Sequence, residues 1–383
     1  MEKKIRVAVL FGGNSNEKEI SLESGRNVVY KLSPSKYDVL PVFLTSKLEP
    51  YIINNRLLVH NSTKEIEHDL EPSMRIGWSK LPELADFVFI GLHGGAGENG
   101  SVQGALEMLG LPYNGSSIFS SALCMDKYKT NQFLHAKGIA VPKGILVSKE
   151  DWTINQSAVF KKISSQLSFP LIIKPHDDGC SVLVQKVRNN DELASALIAL
   201  FARKNFALAE ECIFGMELTV GVVGNKNPHA LPPSKAVAQK DILSMEEKFL
   251  PGAGENQTPA PLPPETLALV QDVVVQTYKA AQCSGYARID CFYQNDVQSP
   301  TGKERVVILE INSLPALTPA TVIFHQAAEL GMRPMDFIDM IVSLGFAAHD
   351  TTTATAASLH EQAILEKVRP HAHTPHTGTQ QNG

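Results

Sequence analysis

Short apolar runs rich in β-branched residues alternate with longer stretches of helical spacing along most of the chain, and this alternation confines it to an α/β architecture. "IRVAVLF" has the continuous apolarity of a buried strand, Gly12-Gly13 forms its turn, and "ISLESGRNVVYKL" has the period of a helix. "DVLPVFL" and "ADFVFIGLHGG" read as further strands, and "SVQGALEMLG" as a helix stopped by Gly110. Residues 1–124 are therefore expected to form an open parallel sheet with loops gathered at the strand ends, where ligands of such sheets bind.

From Met125 the pattern changes. "DKYKTNQFLHAKG" reads as a helix ending at Gly138, followed by short strands "FPLIIKP", "VLVQKV" and "FALAEECI" around the helix "NDELASALIALFARKN". "ELTVGVVG" leads into a long irregular stretch between Pro228 and Pro264, rich in Pro, Gly and charge, whose length suits a functional lid. The helix "ETLALVQDVVVQTYKAAQ" and the strands "GYARIDCFYQ" and "RVVILEIN" come next. After Gly345 the composition drifts to Thr, Ala and His. One helix, "SLHEQAILEKVR", is expected there before a disordered end whose three histidines are a weak metal candidate.

Bulk properties remove several function classes. A net charge of −5 supplies no basic field, so nucleic acid is not an expected partner. No window approaches the ~18 consecutive apolar residues of a membrane span, and the first apolar run is too short for a signal-peptide core. Five cysteines, an odd number at irregular spacing without a C-x-x-C pair, form neither a disulfide framework nor a zinc site and fit a reducing cytoplasm.

The chemistry is carried by two strands. Period-two alternation puts Arg288 and Asp290 on one face of "ARIDC", and Glu310 and Asn312 on one face of "LEINS". If the strands are neighbours, one surface gathers two carboxylates and an amide oxygen, a donor set suited to magnesium with room left for phosphate. A solvated sheet face with an Arg–Asp pair would explain the first strand alone. Lys127, Lys174 and Lys248 could supply positive charge for a nucleoside triphosphate. The sequence has no G-x-x-x-x-G-K-[ST], which excludes a P-loop, and "GGNSNE" lacks G-x-G-x-x-G, which disfavours a dinucleotide.

Seven segments, "VAVLFGGNSNEKEISLESG", "GLHGGAGENGSVQGALEMLGLPYNGS", "SALCMDKYKTNQFL", "ELTVGVVG", "EEKFLPG", "ARIDCF" and "LEINSLPALTP", occur in the order found in D-alanine–D-alanine ligases, and the chain resembles that family over residues 4–345. The resemblance implies an ATP-grasp fold. Residues 1–124 would bind substrate, 125–214 would be the small lobe, and 215–346 the catalytic lobe with a lid at 228–264. Residues 347–383 would be a partly disordered tail. It implies an ATP-dependent ligase that activates one D-alanine as an acylphosphate and joins it to a second. ATP is then a substrate, two magnesium ions (or manganese) are the cofactors, and the assembly is a cytoplasmic homodimer. Lys127, Lys174 and Lys248 would grip the phosphates, and Glu210 and Glu217 would hold adenine and ribose. Asp290, Glu310 and Asn312 would coordinate the metals. Glu17 would bind the first ammonium beside His93, Arg288 and the Ala316 N–H would form the oxyanion hole, and Thr321 would hold the second carboxylate.

The chain departs from the family at several of these places. Cys180 stands where serine is usual, beside a retained Ser181, and Phe249 replaces the tyrosine that closes a Glu–Ser–Tyr triad begun at Glu17. Ala316 and Leu183 replace glycines, and Thr321 replaces serine. Cys180 is expected to line the site rather than act as a nucleophile, because the implied chemistry needs no covalent enzyme intermediate. The departures cluster at substrate and lid, so a sibling ligase with another acceptor, such as D-lactate, is the nearest alternative. A nucleotide-binding regulatory protein with degraded catalysis is the alternative of another class.

Overall fold

A computed structural model of the chain describes residues 3–177, 179, 183–237 and 255–349. Cys180, Ser181, Lys248, Phe249 and the helix expected within the tail lie outside the described residues.

The first sheet is built on β1 (Ile5–Gly12), which lies between β2 (Tyr37–Leu44) and β4 (Phe87–Ile90) and is parallel to both. Val7 to Phe11 are fully buried, as expected of a strand covered on both faces. An antiparallel edge strand that the sequence reading did not identify, β3 (Pro50–Ile52), adds to this parallel set. Its direction follows from its connection. The chain turns back within Thr45–Glu49, where the Leu48 N–H donates to the Thr45 carbonyl, whereas a parallel return needs a crossover of a dozen residues or more.

The second sheet has the order β5 (Gly144–Ser148), β8 (Phe206–Glu211), β6 (Leu171–Lys174), β7 (Gln185–Val187), all antiparallel. The helix Asn190–Phe201 starts where the Asn189 side chain accepts from the Glu192 N–H, and it buries Leu193, Leu197 and Leu200 against this sheet.

The third sheet centres on β9 (Met216–Val223) and carries β10 (His229–Ala230), β11 (Ser234–Val237), β12 (Glu255–Gln257), β13 (Tyr286–Gln294) and β14 (Arg305–Asn312) in the order β12-β11-β9-β13-β14, with β10 on β9. The stretch between Pro228 and Pro264, expected to be irregular, thus contributes three short strands where it is described. The helix Pro264–Ala280 covers the sheet with Val270, Val274 and Tyr278 fully buried.

The helices Val322–Ala328 and Pro334–His349 share one core with the first sheet, although they are far from it in sequence. No helix among the described residues is long and apolar enough to cross a membrane.

Candidate active site

β13 and β14 pair antiparallel in the register that alternation requires: Arg288 opposes Asn312, and Asp290 opposes Glu310. The four side chains form a block on one face. Asp290 is its hub. Its Oδ1 accepts from Thr219 Oγ1 at 2.6 Å and from Arg288 Nε at 3.1 Å, while Oδ2 accepts from Arg288 Nη2 at 3.0 Å and Asn312 Nδ2 at 3.4 Å. With the Asn312 amide nitrogen turned to Asp290, the amide oxygen is the atom that could meet a cation. Cys291 begins a register shift and faces the opposite core, where burial pushes its thiol well above the ordinary range.

Lys127 Nζ sits 3.0 Å from Glu310 Oε2. Burial opposes its charge, but Glu310, with Glu210 and Glu17 further off, holds its pKa above the ordinary lysine value. Lys127 reaches this point because Asp126 caps its helix, Lys127–Ala136, by accepting from the Lys129 N–H.

Between the second and third sheets lies a cleft of about 420 Å³, lined by Lys174, Glu210, Glu217, Lys235 and Phe292 and bounded by Asp290 and Glu310. Lys174 Nζ lies 2.6 Å from Glu210 Oε2, and Asn131 Nδ2 donates to Glu210 Oε1 at 2.9 Å. Both described lysines expected to hold phosphate therefore already hold carboxylates, with further N–H donors that a phosphate oxygen could take.

A narrow cavity of about 40 Å³ adjoins the cleft and shares Lys127, Gly179 and Glu310 with it; Glu17, His93, Arg288 and Ala316 are among the other residues of its wall. Glu17 directly precedes the helix Lys18–Lys31, and its carboxylate is gripped between two glycines. A Cβ on Gly94 would stand 2.5 Å from Glu17 Oε2, and one on Gly179 would stand 2.7 Å away, so a side chain at either position would push the Glu17 carboxylate aside. His93 is buried, with Nε2 2.8 Å from Ser24 Oγ and Nδ1 3.5 Å from Glu98 Oε1.

Ala316 is buried and is not one of the residues with positive φ, so the alanine imposes no left-handed strain there. Leu183 does adopt positive φ, at 63°. Thr321 is buried at the start of the helix Val322–Ala328 and lines neither cavity.

Sequence reasoning missed Thr219 and Asn131. Both had a signal: Thr219 is two residues from Glu217 on one strand face, and Asn131 is one helical turn from Lys127.

A cleft between two antiparallel lobes, opening onto a cavity walled by the loops of a third α/β unit, is the arrangement of an ATP-grasp ligase, an enzyme that joins a carboxylate to an amine at the expense of ATP. Solved structures share it. The D-Ala:D-Ser ligase VanG of Enterococcus faecalis superposes with a TM-score of 0.76 at 28% identity, covering 90% of this chain and all of that one. The D-alanine–D-alanine ligase of Bacillus anthracis complexed with ATP superposes with a TM-score of 0.68 at 28% identity, covering 90% of this chain and 98% of that one. Family models match as well: the D-ala D-ala ligase N-terminus over residues 6–116 and the D-ala D-ala ligase C-terminus over residues 133–343. The D-alanine–D-alanine ligase of Geobacillus thermodenitrificans is 31% identical over 90% of this chain and 96% of its own length. That of Oceanobacillus iheyensis is 32% identical over 89% and 95%. The chain belongs to the D-alanine–D-alanine ligase family.

Proposed function

We propose that the protein joins two D-alanines into D-alanyl-D-alanine for peptidoglycan synthesis, with ATP as the activating substrate. The observation that carries this reading is the Arg288–Asp290–Glu310–Asn312 block, set where the nucleotide cleft meets the cavity of Glu17 and His93. Glu17 offers its carboxylate to the ammonium of the first D-alanine, with His93 beside it. Lys127, Lys174 and Lys248 neutralise the phosphates, while Glu210 and Glu217 flank adenine and ribose. Phosphorylation of the first carboxylate turns a poor electrophile into an acylphosphate. The amine of the second D-alanine attacks that carbonyl, and Arg288 with the Ala316 N–H receives the charge on the tetrahedral oxygen. Asp290, Glu310 and Asn312 would offer an all-oxygen donor set to magnesium once Arg288 and Lys127 turn from the two carboxylates, and two such ions would supply charge stabilisation to phosphoryl transfer. Residues 1–124 serve as the substrate unit, with 125–214 and 215–346 as the two lobes, and the enzyme works as a cytoplasmic homodimer.

A second reading, a sibling ligase with another acceptor, draws on the likeness to a D-Ala:D-Ser ligase and on Phe249 in place of tyrosine. One experiment decides. Purified protein is given ATP, magnesium and D-alanine, alone and in competition with D-serine or D-lactate from pH 6 to 9, and the products are weighed by mass spectrometry. D-alanyl-D-alanine under all conditions supports the first reading, and a mixed product supports the second. ATP binding without ADP release would leave only a nucleotide-binding protein.

A further inference from the structure

The helix Lys18–Lys31 carries a stripe that is both polar and buried. Glu17, Ser21, Ser24 and Asn27 recur at intervals of one helical turn and are each at most 9% exposed. A buried polar stripe must find partners, and these lie on two different loops. Ser21 Oγ accepts from the Gly12 N–H and donates to the Gly91 carbonyl, both at 2.9 Å, which ties the helix to its own sheet. Ser24 and Asn27 reach across to the loop after β14. The Leu317 N–H donates to Ser24 Oγ at 3.1 Å, and Asn27 Nδ2 donates to the Leu317 carbonyl at 2.8 Å.

Both backbone groups of Leu317 are thus held by two side chains one turn apart. The residue before it is Ala316, which lines the substrate cavity. Ser24 Oγ also lies 2.8 Å from His93 Nε2, a hydrogen bond whose direction depends on the imidazole tautomer. The other ring nitrogen, Nδ1, lies 3.5 Å from Glu98 Oε1. A single helix therefore begins at the carboxylate facing the first substrate, orients the imidazole beside it, and clamps the peptide next to the Ala316 amide.

We infer that Ser24 and Asn27 are positioning residues for the oxyanion hole: through Leu317 they aim the Ala316 N–H at the tetrahedral oxygen and keep it in register with Glu17. The inference rests on the ligase reading above. Neither side chain lines the substrate cavity or the nucleotide cleft, so both act through the Leu317 backbone and His93. A donor aimed at charge that develops only in the transition state raises the rate of amine attack without tightening the binding of ATP.

The test separates the two chemical steps in the full-length protein. Phosphorylation of the D-alanine carboxylate is followed by positional isotope exchange in ATP labelled at the β–γ bridge, and the second step by the rate of dipeptide formation. Ser24→Ala should lower dipeptide kcat about 10- to 100-fold, as misdirection of a single oxyanion donor does. Isotope exchange and the KM for ATP should stay within about twofold of the wild type. Asn27→Asp, which keeps the size but loses the donor, should fall in the same direction. Ser24→Thr, which keeps the hydroxyl, should recover most of the rate. Unchanged dipeptide kcat in both Ser24→Ala and Asn27→Asp would overturn the inference. So would an equal fall in both steps together with a lowered melting temperature, the mark of a purely structural role. A wild type that shows neither exchange nor ADP release would remove the ligase reading, and this assignment with it.

Discussion

Glu310 faces Asp290 across the β13–β14 pair and at the same time holds Lys127 at 3.0 Å, so one carboxylate joins the proposed metal face to the phosphate-binding charge. Glu310→Gln keeps the shape and removes the charge. ADP formation should fall by about 100-fold or more, because that charge is required where phosphoryl transfer is stabilised. A rate within a few-fold of wild type would sink the assignment. Leu183 poses the opposite problem, a bulky residue at φ 63°, a region that favours glycine. Left-handed backbone costs such a residue about 1–2 kcal/mol, and glycine avoids that cost while losing somewhat more chain entropy on folding. Leu183→Gly should therefore leave stability unchanged or raise it by up to about 1 kcal/mol, whereas Leu183→Val should lower it, since β-branched side chains tolerate this region worst. Urea denaturation of the two variants checks the sign, and a clear loss in Leu183→Gly would show that the leucine side chain is worth more than its strain. The Arg288, Asp290, Glu310 and Asn312 block was legible in advance because strand alternation has a period of two and needs only the assumption that the strands are neighbours. The ion pairs Lys127–Glu310 and Lys174–Glu210 were not, because each joins residues on different elements and depends on tertiary packing.

Among elements, the helix Val322–Ala328 is fastened to the third sheet by one buried side chain. Gln326 Oε1 accepts from the Gly221 N–H at 2.8 Å, and its Nε2 donates to the Thr219 carbonyl at 2.8 Å and to Ser234 Oγ at 3.0 Å. Thr219 in turn holds Asp290 through its hydroxyl. Gln326→Leu would leave the Gly221 N–H and Thr219 carbonyl without that partner on a buried surface, and stability should drop by about 1–3 kcal/mol. Chemical denaturation measures it directly, and a neutral result would mean that the neighbouring backbone relaxes to find other partners. Long elements were readable: the helix Pro264–Ala280 and the strands β9, β13 and β14 are extended enough for their periods to show. β3, β10 and β12 have three, two and three residues, too few for any alternation to stand out. They exist because a longer neighbour offers an edge to pair with, which is a property of the assembled sheet.

For the whole molecule, the division suggested by the change of pattern near Met125 does not coincide with the division of the hydrophobic core. The first sheet, from Val7 to Ile90, shares one cluster with Tyr286, Leu317, Ile323, Phe337, Ile338 and Ile341. Gly345 lies so close to Phe87 that a Cβ there would stand 2.6 Å from the ring. Sequence patterns report what each segment wants to bury, but they do not say which distant segment will cover it. Here the cover for one face of the first sheet comes from the far end of the described chain. The energetic consequence is large. A fully buried Phe or Ile contributes about 1.5–3 kcal/mol, so Phe337, Ile338 and Ile341 alone contribute about 5–9 kcal/mol, comparable to the ~5–15 kcal/mol that stabilises a typical domain. Residues 1–124 expressed alone should therefore fail to form a cooperatively folded domain, with aggregation or weak near-ultraviolet circular dichroism as the sign. Co-expression with residues 125–383 should restore a soluble pair, because the missing apolar face is then supplied in trans. A soluble 1–124 fragment with a sharp thermal transition of its own would refute the shared core as the source of its stability.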